Sequence, residues 1–567
     1  MHTLYGMLHG KMKKIAFFAV SFLVLSQGAS GAQAVMGQFI HKSHNPYPVE
    51  RRFLWHAPNS ATKAVENRDI HALVILAEYS DVKYVHTPEE FENTLIHKEK
   101  SAKQYFMDQL GIQMEITVVG PVVTDKKRSH YGTNDSEGKD SHPGEFIADV
   151  CEKADELVDF TIFDDDGDGY VDNIYIFYAG EDESQQKLKP NGERENSNFM
   201  WAHSWTLEES DYGKALVLDG ISVNAYACSS ELYRKYDSTG DFTDVIAPIG
   251  TFCHERSHIF GLADLYDTDY EKSGGIAAGV WGKTGLMDSG NYNDDGATPP
   301  NFNAIDLETV GTLIPEEIQA GRYTLQPLGT EGAKTYRITN PLNKDEYYLF
   351  ECRGNSLWDE FIGGKGLLVY HIDRSDAYST MSETLNRNIS SDLRWRPYNQ
   401  VNCRPDHQCA DLIEADGRDD NSPSATSKAD INGIFFPQPG ATSIGGKADI
   451  KLAFWDGTQS SLSVNEISLE NGTVTFLVKN EASPIPPSPV DPPIDTDMLY
   501  IMVLDDGESL RLQVSNNVGA KEEKWYFNGS AINPSSFIPS GNGLIRAELV
   551  WPDGSVDYIM KEWNGRN

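Results

Sequence analysis

The sequence predicts three folded domains: an α+β domain over residues 68–320, a β-rich domain over 321–480 and a small C-terminal β-sandwich over 498–567. Three observations lead to this division. A chain of 567 residues is too long for one hydrophobic core. Near Gly321 the apolar pattern changes from mixed helical and strand periods to short alternations. Residues 481–497 are rich in proline and have few large apolar side chains, which is typical of a semi-rigid linker.

The α+β domain is predicted from strand-type and helix-type patterns that follow one another. The uninterrupted apolar run at residues 72–77 is typical of a buried strand, and residues 173–178 form a second candidate. Residues 89–110 are predicted to be helical. Apolar residues at spacings of three and four predict a further amphipathic helix. Its apolar positions are Phe146, Ile147, Val150, Cys151, Ala154, Leu157 and Val158.

The two later domains are predicted to be mostly β. Short apolar alternations such as residues 347–350 and 366–370 are separated by turn residues. Residues 374–430 are polar and aperiodic, and we expect an extended loop there. Beyond the linker, Asp-Gly or Asn-Gly pairs at 506–507, 528–529 and 553–554 favour tight hairpins. These hairpins predict a small sandwich of the immunoglobulin-like type.

The N-terminus has the features of a secretory signal peptide over residues 1–34. Lysines at positions 11, 13 and 14 precede an apolar run at 15–25, and Ala32 and Ala34 supply small residues for cleavage. Residues 35–67 are then expected to be a pro-segment or lead-in. We therefore expect export to the medium or the cell surface, without a transmembrane segment and as a monomer. The formal net charge of −37 excludes general affinity for nucleic acid, because phosphate would be repelled.

One stretch has the spacing of a catalytic metal site. His254 and His258 are four residues apart, so on a helix both face the same side and can reach one cation. Imidazole suits zinc, and Glu255 beside the first histidine can act as general base on a zinc-bound water. Gly261 can end the helix by adopting positive φ, which lets Asp264 return to the metal as third ligand. Asp267, or a residue distant in sequence, is the alternative third ligand.

The run from His254 to Asp267 resembles the metzincin pattern, with Asp264 in place of the usual third histidine. More narrowly, the Gly-Leu-Ala-Asp-Leu-Tyr-Asp sequence at 261–267 resembles the immune inhibitor A family of secreted bacterial metalloproteases. Further similarities lie at Tyr131-Gly132, 164–172, 201–205, 286–290, 351–353 and 366–371. Arg256 departs from the family pattern, which usually has an apolar residue at that position, and residues 283–285 lengthen a segment that is usually tighter.

The resemblance implies a metzincin-like zinc endopeptidase that hydrolyses proteins or peptides. It also implies a methionine turn, in which Met287 forms an apolar floor beneath the zinc. Tyr292 follows shortly afterwards and could donate a hydrogen bond to the tetrahedral oxyanion, although a surface aromatic is the simpler interpretation. Two other hypotheses remain open: a secreted binding or adhesion protein on a decayed protease scaffold, and a zinc hydrolase that acts on another type of bond.

An acidic loop predicts a second, structural cation. Carboxylates occupy positions 1, 3, 5 and 9 of a calcium-type loop, and Gly169 occupies the turn position. A solvated acidic turn is the alternative, but close carboxylates repel one another when no cation is bound. The predicted calcium ligands are Asp164, Asp166, Asp168, the carbonyl of Tyr170 and Asp172.

Overall fold

The computed structural model describes most of the chain between residues 69 and 563. The predicted signal peptide and lead-in, together with linker residues 482–497, lie outside the described residues, as do Asp166 and Asp168 of the predicted calcium loop. The described residues are 69–135, 139–165, 167, 169–172, 174–186, 196–237, 239, 241–268, 281–375, 380–382, 387–395, 399–404, 407–417, 433–481, 501–505, 510–514, 520–527, 530–539, 543–552 and 556–563.

Nine strands lie in the described part of residues 69–246, and five of them form the central sheet. The strands are β1 (Asp69–Glu78), β2 (Gln113–Val123), β3 (Ile174–Tyr178), β4 (His203–Thr206), β5 (Leu216–Leu218), β6 (Ile221–Val223), β7 (Ala225–Ser230), β8 (Leu232–Tyr236) and β9 (Phe242–Ile246). The sheet order is β2-β1-β3-β7-β4, parallel except for β4 at one edge. The apolar runs of β1 and β3 are buried, as expected for parallel strands that are covered on both faces. Both predicted strands are therefore confirmed.

Helices cover both faces of this sheet. The α-helices of the described chain are α1 (Pro88–Glu92), α2 (Ala102–Leu110), α3 (Arg128–Gly132), α4 (Pro143–Ala154), α5 (Ile249–Ser257), α6 (Ala304–Val310) and α7 (Ser391–Trp395). Alternate β1 residues pack on different layers: Val74 and Leu76 share a core with α1, α2 and α5, whereas Leu73 and Ile75 share one with α4. This arrangement follows from the period of two along a strand.

Two predicted helices have different bounds in the structure. The helix predicted at 89–110 is divided into α1, a π-helical turn at Asn93–His97 and α2. The division occurs because the Ser101 side chain accepts a hydrogen bond from the Gln104 N–H and starts a new helix. The helix predicted from residue 146 begins earlier, at Pro143, and ends at Ala154, so that Leu157 is 55% exposed rather than part of the core.

The β-rich region contains two larger sheets, ordered β10-β12-β13-β14-β17 and β11-β19-β18. The expectation of a loop over the polar segment 374–430 is wrong in part, because its described residues include the antiparallel pair β15–β16, α7 and β17. The strands are β10 (Glu316–Glu317), β11 (Gly321–Leu325), β12 (Tyr336–Thr339), β13 (Glu346–Arg353), β14 (Gly366–Asp373), β15 (Thr380–Ser382), β16 (Arg387–Ile389), β17 (Ala410–Leu412), β18 (Leu462–Glu470) and β19 (Thr473–Asn480).

The first β-rich sheet and the central α/β layers share one hydrophobic core. Leu349, Leu368 and Tyr370 of the β-rich region belong to the same buried cluster as Val74 and Phe252. A buried polar network adds to this contact, because the Arg353 guanidinium forms two hydrogen bonds with the Asp359 carboxylate and donates to the Thr284 carbonyl at 2.9 Å. The predicted boundary near residue 320 is therefore crossed by continuous packing.

Residues 501–563 form separate small sheets around a core of their own. The strands on either side of each predicted Asp-Gly or Asn-Gly turn pair in antiparallel fashion. The turn residues themselves lie outside the described residues, so the tight hairpins and the sandwich arrangement stay predictions. The strands are β20 (Ile501–Asp505), β21 (Leu510–Val514), β22 (Glu522–Phe527), β23 (Ser530–Ala531), β24 (Gly543–Val550) and β25 (Val556–Trp563). Among the described residues, no helix has the length and apolar character needed to cross a membrane.

Candidate metal centre

Helix α5 places the two predicted imidazole ligands side by side. His254 lies in the last turn of α5, and His258 begins the 3-10 turn that continues it, with ring centroids 5.1 Å apart. Gly261 has φ of +81°, which ends the helical segment as predicted. Helix α5 also lies unusually close to a neighbouring loop, because a Cβ at Gly250 would stand 1.9 Å from the Asn291 carbonyl oxygen. A glycine is therefore required where the two backbones meet.

After Gly261 the chain turns back and brings Asp264 to the two histidines. Asp264 Oδ1 lies 3.1 Å from His254 Nε2 and 3.6 Å from His258 Nε2. All three side chains are buried. Two imidazole nitrogens and one carboxylate oxygen thus converge on a small region, as a tetrahedral cation with a fourth, open position requires. This geometry favours Asp264 over Asp267 as the third donor.

The outer nitrogens of both histidines are fixed by backbone carbonyls. His254 Nδ1 lies 2.8 Å from the Leu286 oxygen, and His258 Nδ1 lies 2.9 Å from the Leu262 oxygen. A carbonyl oxygen can only accept, so each Nδ1 must carry the proton and donate it. In the neutral imidazole, each Nε2 then presents a lone pair towards Asp264. Such outer hydrogen bonds are what orient histidine ligands in metal proteins.

Asn399 holds the other side of the Asp264 carboxylate, although it lies 135 positions away in sequence. Its Nδ2 donates to Asp264 Oδ2 at 2.6 Å, and its Oδ1 accepts the Asp264 backbone N–H at 2.7 Å. The Tyr266 hydroxyl also donates to Oδ2 at 3.2 Å. Oδ2 is thereby occupied, which leaves Oδ1 facing the histidines. Sequence analysis missed Asn399, because no local pattern in its polar segment links it to residue 264.

The protonation of the two histidines differs in the metal-free protein. Burial lowers the pKa of His254, but the hydrogen bond and charge of Asp264 outweigh burial and raise that pKa from 6.5 to about 9. Burial lowers the pKa of His258, and Asp264 offsets this only in part. One proton thus occupies the region between His254 and Asp264 at neutral pH, and a cation would have to displace it.

Glu255 lies next to this donor set. Its side chain is fully buried, and one of its oxygens lies within 4.8 Å of the nearest nitrogens of both His254 and His258. A carboxylate at this place can reach a water molecule beside the cation and accept a proton from it. The order His-Glu-x-x-His therefore brings together the two predicted ligands and the predicted base.

The predicted methionine turn is linked by hydrogen bonds to the segments that carry His254 and Asp264. Met287 is fully buried, and its carbonyl accepts the Leu265 N–H at 2.8 Å, in the segment that carries Asp264. Leu286, immediately before it, supplies the carbonyl that binds His254. Asp288 accepts the N–H groups of Trp281 and Gly282 at 2.8 and 3.0 Å, which accommodates the longer segment at 283–285.

A pocket opens beside the N-terminal half of α5. It has a volume of about 440 Å³, including its solvent mouth, and is lined by Thr251 of α5, Trp201, Leu232, Tyr233 and Tyr292. Tyr292 is half-buried and lines this pocket, so its role as a hydrogen-bond donor to the oxyanion stays a prediction. Burial raises its pKa well above 10, and the nearby Glu255 charge adds to the shift. The hydroxyl therefore stays protonated and able to donate at neutral pH.

Arg256, the departure from the family pattern, points towards the acidic loop. Its side chain is 1% exposed, and burial lowers its pKa from 12.5 to about 9 against the opposing charges of Asp165 and Asp172. In that loop, Asp164 accepts the N–H groups of Gly167 and Gly169, and Asp172 accepts the N–H of Asp165. Since Asp166 and Asp168 lie outside the described residues, calcium binding stays a prediction.

Comparison with known proteins finds a family match for the central part of the chain. Residues 76–309 match the family model described as immune inhibitor A peptidase M6, catalytic domain. Immune inhibitor A of Bacillus thuringiensis subsp. alesti is 25% identical over 328 residues, which cover 49% of this chain and 44% of that protein. The pre-pro-metalloprotease PrtV of Vibrio cholerae serotype O1 (strain M66-2) is 25% identical over 210 residues, covering 34% of this chain and 21% of that protein. The matched part therefore spans less than half of each relative.

Proposed function

Since residues 76–309 form a catalytic domain of the immune inhibitor A peptidase M6 family, a family of metalloproteases, we propose that this chain is a secreted zinc-dependent endopeptidase. The observation that carries the proposal is the approach of His254 Nε2 and His258 Nε2 to Asp264 Oδ1, with Glu255 beside them. Two imidazoles and one carboxylate suit zinc better than calcium or magnesium, which prefer oxygen ligands.

His254, His258 and Asp264 would hold the ion. When bound, zinc supplies a Lewis acid that polarises the scissile carbonyl and lowers the pKa of a neighbouring water. Glu255 accepts a proton from the attacking water and then delivers it to the leaving amine. The burial of Glu255 supports this role, because bulk water does not compete with the bound water for the carboxylate in a water-poor site.

Tyr292 and the pocket beside α5 supply substrate contacts. We assign to the Tyr292 hydroxyl the donation of a hydrogen bond to the oxyanion that forms when water adds to the carbonyl. Its raised pKa supports this role, because the proton remains available over the neutral range. The pocket combines the apolar or aromatic side chains of Trp201, Leu232 and Tyr233 with polar ones such as Asp182 and Gln185, a mixed lining on which a substrate side chain could rest.

The proposal is tested with Glu255→Gln, which keeps the volume of the side chain but removes the base. Proteolysis of an unfolded, dye-labelled protein should fall about 10²–10⁴-fold, the usual contribution of a general base. Zinc content, measured by inductively coupled plasma mass spectrometry, should stay the same. Glu156→Gln, at an exposed position just after α4, is the matched control and should keep full activity.

Undiminished cleavage by Glu255→Gln would contradict the mechanism. A wild-type protein that binds zinc yet cleaves no unfolded protein would instead favour the alternative of a decayed scaffold used for binding or adhesion. The intact and buried Glu255 supports the catalytic hypothesis over that alternative.

We also propose that Ca²⁺ binds the acidic loop through Asp164, Asp166, Asp168, the Tyr170 carbonyl and Asp172. The hydrogen bonds from Gly167 and Gly169 to Asp164 curve the loop around that first carboxylate, which supports the proposal. The position next to α5 would make this ion structural, because Asp165 and Asp172 are the charges that Arg256 faces. Thermal unfolding with and without Ca²⁺, after zinc has been saturated, measures its contribution.

A further inference from the structure

A second group of metal-type side chains lies outside the proposed active centre. It consists of His130 in α3, His142 and Glu145 at the start of α4, and Asp211 in the loop after β4, and we call it the His130 cluster. Neither the family match nor the zinc motif includes a role for it. All four side chains are partly exposed, between 21% and 43%, so that an ion in solution could reach them.

The backbone brings these residues together. The His142 N–H donates to the Tyr131 carbonyl at 3.0 Å, so the chain that leaves His130 returns to its side twelve residues later. The Gly144 N–H donates to Asp211 Oδ1 at 2.7 Å. Close packing makes this approach possible, since a Cβ at Gly144 would stand 1.8 Å from Ser210 Oγ. The positions of the four side chains are therefore set by main-chain contacts and not by flexible side chains alone.

Three donor-to-donor distances are close to those of a tetrahedral zinc site. Glu145 Oε2 lies 2.9 Å from His130 Nε2 and 3.8 Å from His142 Nδ1, and Asp211 Oδ2 lies 3.3 Å from His142 Nδ1. Ligands held 2.0–2.1 Å from a tetrahedral zinc are separated by roughly 3.3 Å. The two imidazole rings are stacked, with centroids 4.7 Å apart and planes 12° apart, and each has a ring nitrogen within 3.8 Å of the Glu145 carboxylate.

We propose that the His130 cluster binds a second zinc ion through His130 Nε2, His142 Nδ1 and Glu145 Oε2, with Asp211 Oδ2 or water as the fourth ligand. Two nitrogen and one or two oxygen donors favour zinc over calcium or magnesium. The ion joins α3, the first turn of α4 and the loop after β4, three segments that otherwise meet through hydrogen bonds. Its role is structural, and it does not depend on the proposed proteolytic activity.

The test uses the full chain and Zn²⁺ itself as the probe. His254→Ala/His258→Ala removes two proposed ligands of the active centre, so that any tight equivalent left belongs elsewhere. After chelator treatment, reconstitution with ZnCl₂ and gel filtration, mass spectrometry should find one equivalent in this variant and two in the wild type. Addition of His130→Ala/His142→Ala should remove the remaining equivalent, with at least a 100-fold loss of affinity in a chelator competition. His97→Ala, an exposed histidine in the π-helical turn, should change neither value.

Two results would overturn the proposal: no zinc in His254→Ala/His258→Ala, or an equivalent that persists when His130 and His142 are also replaced. If the active-centre variant does not fold, the comparison of wild type with His130→Ala/His142→Ala decides, with two equivalents expected against one. The site is rejected if the wild type and His130→Ala/His142→Ala hold equal zinc. It is also rejected if the wild type holds one equivalent that His130→Ala/His142→Ala retains. Because the readout is metal content, the result does not depend on whether the protein cleaves peptides.

Discussion

Replacing Asn399 tests whether the β-rich region supports the proposed zinc site. Asn399→Gly removes the hydrogen bond from Nδ2 to Asp264 Oδ2 and the acceptor for the Asp264 N–H. Glycine is chosen because Asn399 has φ of +52°, a conformation that alanine tolerates poorly. The variant thus removes the side chain without imposing backbone strain.

The expected loss follows from the hydrogen bond to a charged group. Such a bond contributes about 1.5–3 kcal/mol, which corresponds to roughly 10–100-fold in an equilibrium constant. The Asp264 carboxylate should then rotate more freely, and part of the free energy of zinc binding would be spent on orienting it. We therefore expect zinc to bind about 10–100-fold more weakly to Asn399→Gly than to the wild type, whereas the rate of the zinc-saturated enzyme changes much less.

Competition with a fluorescent chelator at fixed pH measures this affinity. Asn402→Ala is the matched control, because Asn402 lies in the same segment but donates at 2.9 Å to the carbonyls of Leu265 and Ala410 and not to the carboxylate. It should reduce stability while affecting zinc affinity less than Asn399→Gly does. If Asn399→Gly binds zinc like the wild type while Asp264→Ala loses it, then the Asn399 contact does not tune the site.

Three further predictions concern protonation, substrate contacts and stability. Because its pKa is raised to about 9 in the folded protein, His254 adds stability to the metal-free protein that is fully present below pH 6.5 and lost as pH rises through about 9. Zinc must displace the proton that gives this stability. The apparent zinc affinity should therefore rise about tenfold per pH unit between pH 6.5 and 9. Isothermal titration calorimetry in buffers of different ionisation enthalpy measures this, and a pH-independent affinity would contradict it. Tyr292→Phe should lower kcat about 10²–10³-fold with zinc content unchanged, and a rise in KM alone would assign it to binding. Arg353→Met leaves two buried carboxylates without their cation and should cost about 3–5 kcal/mol of unfolding free energy in urea; a loss below about 1 kcal/mol would show that the network adds little.

The parts of the fold that could be predicted are those determined by neighbouring residues. Strands β1 and β3 and most of α4 follow from local apolar patterns. His254, Glu255, His258 and Asp264 could be grouped because a helix followed by a glycine reversal places them together within eleven positions. The break before α2 also had a local signal, since Ser101 followed by Gln104 has the spacing of a capping box.

The parts that could not be predicted depend on contacts between distant segments. The apolar pattern changes near Gly321, which indicates a change of secondary structure, but the pattern does not show which surfaces pack together. Tyr370 of β14 stacks on Trp281, with ring centroids 3.9 Å apart. Trp281 lies within residues 68–320, which the sequence assigns to the first domain. Similarly, Arg256 is buried and faces the charges of Asp165 and Asp172, which lie more than eighty positions away, although an arginine side chain alone suggests a surface position.

These long-range contacts bear on where the catalytic unit ends. The family match stops at residue 309, yet the segment that carries Asp264 is bound by residues beyond 398. Asn399 holds the carboxylate, the Thr268 hydroxyl donates to the Asn399 carbonyl, and Asn402 donates to the Leu265 carbonyl. Trp281 Nε1 donates to the Ala410 carbonyl at 2.9 Å, a further contact between the two regions. The third proposed ligand is thus positioned jointly by both regions, so the β-rich region is a structural part of the proposed metal centre and not an appended module.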